Sequence, residues 1–93
     1  MESSTFDDEE ELSILTTNIM IYTGDGNINI NPGDLNSELL DNTHYYIVNG
    51  SEDVIRFARC GECFTELIVE PGHFMILLKA DGDFFRLSHP IQF

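Results

Sequence analysis

Two cysteines, Cys60 and Cys63, stand two residues apart in Cys60-Gly61-Glu62-Cys63. A thiolate pair at this spacing supplies two of the four ligands that zinc takes at about 2.0–2.3 Å. The imidazoles are His44, His73 and His89, so Cys60, Cys63 and His73 form the candidate metal set. No second C-x-x-C and no closely spaced histidine pair accompanies it. Redox chemistry would want the pair at a helix N-terminus, where the dipole lowers a thiol pKa. Here the flanks, Phe57-Ala58-Arg59 and Phe64-Thr65, read as strand. The expectation is reduced thiols in a glycine-containing turn, with no cofactor.

Carboxylates are the other chemical resource. Of the 17 Asp and Glu residues, 12 precede Arg56, the first of only four cations, and the net charge is −13. Asp7, Asp8, Glu9, Glu10 and Glu11 are consecutive; Asp25, Asp34, Glu38, Asp41, Glu52 and Asp53 are scattered through a segment that should fold. Adjacent like charges repel, so residues 1–12 read as an acidic disordered arm, dispensable to a β domain over 13–93. The remaining acids are candidates for a folded anionic face.

Other local patterns carry little chemistry. Asp25-Gly26-Asn27-Ile28-Asn29-Ile30-Asn31 imitates the start of a calcium loop, but Ile30 replaces the required sixth-position Gly and Asn36 the twelfth-position Glu. No nucleophile elbow or comparable hydrolase motif is present, and the expectation is a non-enzyme. Val69-Glu70-Pro71-Gly72-His73-Phe74-Met75-Ile76-Leu77-Leu78 resembles the strand–PG–strand turn of cupin barrels over about ten residues. That resemblance implies a small metal-binding β protein as the alternative function, although the cupin His-x-His pair is missing.

The elements that would position these residues read as β. In Ile14–Tyr22, Leu15, Thr17, Ile19 and Ile21 would share one face. Asn27–Asn31 alternates strictly and should form a half-buried strand. Residues 34–41 are the helical candidate, with Asp34 as cap and Leu35 and Leu39 one turn apart. His44–Val48 leads into Asn49-Gly50, a hairpin signal, with Val54–Ala58 as the return strand. Phe64–Val69 follows, then a type II turn at Glu70-Pro71-Gly72-His73, a strand over 74–79, an Asp81-Gly82 hairpin and a last strand to Ser88. The expected architecture is all-β: a small antiparallel sandwich or barrel of about seven strands, jelly-roll-like, with one short helix.

Composition bounds the function. Apolar residues make up 42% of the 93 and aromatics 11%, enough for one modest core. Four cations cannot supply the basic face that nucleic acid requires. No apolar run is long enough for a membrane helix, and anionic lipid would repel the chain. The N-terminus lacks the basic and apolar regions of a signal peptide, so an intracellular location, cytoplasmic or nuclear, is expected. The residues therefore point to an acidic interaction protein for a basic or DNA-binding protein, with DNA mimicry or inhibition its most specific form and histone chaperoning its neighbour. A small domain with a marginal core is compatible with a homodimer, and an oligomeric structural subunit is a further alternative.

Overall fold

The computed structural model describes residues 2–58, 66–87 and 89–93. Among these lie nine strands: β1 Ser3–Phe6, β2 Ile19–Tyr22, β3 Ile28–Ile30, β4 Thr43–Asn49, β5 Ile55–Phe57, β6 Leu67–Val69, β7 His73–Ala80, β8 Asp83–Arg86 and β9 Ile91–Gln92. The larger sheet runs β1-β2-β4-β7-β8, with β9 beside β8 on the same edge of β7; the smaller runs β3-β5-β6. The all-β reading stands, but the purely antiparallel one does not. β1 with β2, β2 with β4 and β3 with β5 are parallel, while β4–β7, β5–β6 and the β7 pairs with β8 and β9 are antiparallel. Among the described residues no strand pair joins the two sheets, so they form no closed barrel.

Parallel neighbours need long connections, and the chain supplies them by alternating between layers. It passes from β2 to β3 in the other sheet, returns as β4 beside β2, and crosses again as β5 beside β3. This makes two turns of a flattened coil, which β6 and β7 then line in the opposite direction. The Asn49-Gly50 hairpin is consequently overturned: β4 and β5 lie in different sheets and do not pair. Asn49 is fully buried and its amide donates to the carbonyls of Asp53 (2.7 Å) and Val69 (2.9 Å). Its Oδ1 accepts from Ser51 N and Ser51 Oγ. The side chain holds a crossover loop instead of a two-residue turn.

Strand alternation builds the core. Met20, Tyr22, Tyr45, Ile47, Met75 and Leu77 face inward from the larger sheet, and Ile28, Ile30, Ile55, Phe57 and Val69 from the smaller. Asn29 stays exposed between Ile28 and Ile30, as the sequence alternation expects. In β2, however, Met20 and Tyr22 are the buried set, and Ile19 and Ile21 of the expected shared face are only half-buried. Leu15 packs against the core from outside the strand.

The disordered arm is also corrected. β1 pairs with β2 from Ser3↔Ile19 to Phe6↔Tyr22, and Phe6 stacks on Tyr22 with ring centroids 5.5 Å apart. Asp8 then caps a 3-10 helix, Glu9–Ile14, by accepting from Glu10 N. Phe6 and Leu12, 1% and 0% exposed, are part of the core. Of the acids between them Asp7, Asp8 and Glu10 are exposed and Glu9 and Glu11 half-buried, so their repulsion does not prevent the flanking apolar residues from docking. Short helical structure over 34–41 is likewise displaced: Pro32–Asp34 forms a 3-10 turn, and Leu35 and Leu39 reach the core from an irregular segment.

Both later turns match their sequences. His73 N donates to Glu70 O at 3.1 Å, and Gly72 takes the positive φ of a type II turn. Asp81 and Gly82 are both at positive φ between β7 and β8, as a type I′ hairpin demands. Lys79 is turned inward, 5% exposed, donating to Ser37 O at 2.9 Å with Nζ 5.4 Å from the Phe84 ring centroid. No helix among the described residues is long and apolar enough to cross a membrane.

Two stability outcomes follow from this packing. Phe6→Ala should cost about 3–5 kcal/mol in urea unfolding, as removal of a buried aromatic does, and deletion of residues 1–12 should unfold the chain. Asn49→Ala should cost about 1–3 kcal/mol by stranding the two carbonyls it serves; an unfolding midpoint unchanged by either point substitution would contradict these roles.

Candidate acidic surface and apolar sheet face

Several of the candidate acids gather at one end of the larger sheet. At the end of β2, Tyr22 is buried and its hydroxyl donates to Gly26 O at 2.7 Å. Gly26 N in turn donates to Asp53 Oδ2, also at 2.7 Å. This ties the 24–26 turn to the 50–53 loop and brings Asp25 and Asp53 together. The β1 exit arrives at the same place: a Cβ on Gly24 would lie 2.7 Å from Asp7 O and from the Tyr22 ring, so glycine is needed for this close approach. Burial raises the Tyr22 hydroxyl pKa, and the charges of Asp53, Asp25, Asp7 and Glu9 raise it further. Those four carboxylates, from three separate chain segments, therefore lie near enough to act on one hydroxyl.

Asp8 and Glu11 extend this cluster. Glu11 Oε2 accepts from Asp7 N at 3.3 Å. The Glu11 carboxyl is held above the usual range, first by its side-chain hydrogen bond with Asp7, then by desolvation and the charges of Asp7 and Asp8; the Asp7 N–H acts in the opposite sense. Glu10 and Glu52 are exposed on the same helix and loop that carry Glu9 and Asp53.

The remaining acids lie elsewhere. Asp41 Oδ1 accepts from Gly82 N at 3.2 Å, placing Asp41 by the β7–β8 hairpin at the opposite end of the sheet. Glu38, whose backbone N–H donates to Asn36 Oδ1, follows Ser37, the residue that holds Lys79. Asp34 Oδ2 accepts from Asn31 N at 2.8 Å and closes its own turn. Lys79 is internal, and Arg56 pairs with Glu66 at 2.9 Å in an exposed salt bridge.

Among the described residues no three His, Cys, Asp or Glu side chains are grouped to hold a metal. Cys60 and Cys63 lie outside the described residues. His73 Nδ1 sits 3.0 Å from Pro71 O, within its turn.

A second surface was not singled out from the sequence. The outer face of the larger sheet is apolar across its central strands: register places Ile19, Tyr46 and Ile76 in one row and Ile21, Val48, Phe74 and Ile91 in the next, with Ser3 and Thr5 of β1 continuing the rows at one edge and Asp83 of β8 at the other. Leu78 and Phe85 follow beside His44. Tyr46, Phe74 and Phe93 are in successive ring contact at 6.3 and 6.4 Å. With Ile19 and Val48 they line a shallow hollow of about 270 Å³. The signal was present: Tyr45-Tyr46-Ile47-Val48 and Phe74–Leu78 are apolar at both parities, a pattern expected of strands covered on both faces.

The raised Glu11 pKa has a definite consequence for stability. The fold takes up this proton more readily than the unfolded chain, so the associated stability is fully present below the unfolded carboxylate pKa. It is lost as pH rises through the higher folded value. Glu11→Gln should therefore be at least as stable as the parent at neutral pH and should lose that advantage on acidification, read as the difference between their melting temperatures across pH 3–7. A difference independent of pH would contradict the Asp7–Glu11 interaction.

Compared with known proteins, the chain matches no family model, no curated protein and no solved structure.

Proposed function

We propose that this chain is a non-enzymatic interaction protein whose acidic end engages a basic protein partner. The observation that carries this reading is the meeting of the β1 exit, the 24–26 turn and the 50–53 loop at Tyr22, which brings Asp7, Asp25 and Asp53 to one end of the sheet, next to Asp8, Glu9, Glu10, Glu11 and Glu52. A fold accepts such self-repulsion at a cost in stability. A partner rich in Lys and Arg would relieve it, and the long-range field would accelerate encounter. The narrower form of the proposal is an inhibitor that occupies the phosphate sites of a DNA-binding protein. Glu38 and Asp41 would then act outside the main contact, since they lie by Lys79 and the β7–β8 hairpin, away from the Tyr22 end.

The test uses capture from native lysate followed by salt elution, then kinetics with the recovered partner. Glu9, Asp25 and Glu52 are exchanged together for Gln, Asn and Gln, leaving the Asp53 and Asp8 hydrogen bonds in place. The association rate should fall by about tenfold at low salt, with a smaller change in dissociation and a flatter salt dependence. Retention of the same proteins at unchanged affinity and salt slope would reject the acidic end as the contact. Duplex DNA should compete if the partner's phosphate sites are used; simultaneous binding would exclude that narrower form.

A further inference from the structure

We infer that the outer face of the larger sheet is a self-association surface, on which a second copy of this chain packs face to face. A one-layer sheet face open to water is ordinarily polar, yet the Ile19–Tyr46–Ile76 and Ile21–Val48–Phe74 rows carry no charge. Leu87 and Phe93 extend the apolar surface and are 48% and 68% exposed.

A second copy fits this face for three reasons. Uncharged apolar rows are self-complementary under two-fold symmetry, and two such faces pack at about 10 Å without needing opposite charges. Size allows a weak dimer. The 29 residues of β1, β2, β4, β7, β8 and β9, at about 3.3 Å along and about 4.8 Å across the strands, give a face on the order of 460 Å² per copy. Doubled, that is about 900 Å², the size of weak, transient interfaces, which is why the test reaches millimolar concentration. Finally, the charge lies at the margins: the Tyr22 cluster sits at the strand ends, Asp41 beside the far hairpin, and Asp83, level with Ala80, at the hairpin edge of the face, so the central rows can meet while the carboxylates remain in water. A strongly basic partner would gain nothing from this face and belongs to the acidic end.

This assignment differs from the acidic-end proposal in the sign of its response to salt. Two copies at net charge −13 each repel, so salt should strengthen self-association, whereas it weakens binding to a basic protein. Sedimentation equilibrium of the purified full chain, from micromolar to millimolar concentration at low and high salt, reads the mass directly. The expected result is a shift from 10.6 kDa to twice that mass, with a tighter dimer at high salt.

Val48→Lys, at the centre of the face, should weaken the dimer at least about thirtyfold, as loss of a central interface residue does. Ile91→Lys, on the 40% exposed edge strand β9, should also weaken it and serves where Val48→Lys compromises folding; circular dichroism checks the fold of each. A monomer under every condition, a dimer loosened by salt, or a dimer indifferent to the folded variants would each overturn the assignment. None of these outcomes bears on the acidic end, because no basic protein is present.

Discussion

The structure turns on Asn49. It is the last residue of β4 and stands level with Tyr22 in the parallel ladder. From there the chain must leave the larger sheet and begin β5 in the smaller one. A buried amide is costly unless all its hydrogen-bonding capacity is used. Asn49 uses both amide protons, on Asp53 O and Val69 O, and accepts twice at Oδ1 from Ser51. Its backbone carbonyl also receives Gly72 N at 3.2 Å. One side chain thus ties the β4–β5 crossover to the end of β6, and its backbone reaches the turn into β7. The same loop carries Asp53 to the Gly26 N–H, so the crossover also sets part of the acidic cluster.

That arrangement explains how so acidic a chain folds. The carboxylates occupy turns, caps and loop surfaces, where water screens them and backbone N–H groups use several of them. Asp8 caps a 3-10 helix, Asp34 closes a turn, Asp41 accepts from the hairpin and Asp53 from the 24–26 turn. Apolar residues close to the acids supply the burial. In the N-terminal segment, Phe6 and Leu12 bracket the five consecutive acids and both reach the core.

Local chemistry was legible where it is self-sufficient. The Pro71-Gly72 and Asp81-Gly82 turns and the alternation of Ile28-Asn29-Ile30 match their sequences because backbone preference and side-chain period decide them. Asn49-Gly50 misleads for the opposite reason: its local preference is for a tight hairpin, but the amide's distant partner Val69 fixes a crossover. The run Asp7–Glu11 hides β1, since average charge says nothing of the two flanking residues that are buried. Parallel pairing is invisible for a similar reason, being set by which strands meet after long connections. The acidic cluster was half legible. Its residues were named from composition, but only the fold separates Asp7, Asp25 and Asp53 from Glu38 and Asp41.

The placement of the acids and the bareness of the sheet face share one cause. Side chains directly opposite across neighbouring strands stand about 4.5–5.5 Å apart, and like charges at that spacing destabilise the ladder. A chain with 17 acids and four cations cannot alternate charges of opposite sign across the five strand positions of a sheet. Apolar residues can fill those positions without repulsion, as the Ile21–Val48–Phe74–Ile91 row does. Keeping charge out of the central rows of the sheet therefore leaves a face that water solvates poorly, while carboxylates collect at the strand ends. The anionic end and the apolar face are complementary results of fitting this charge onto a small β fold.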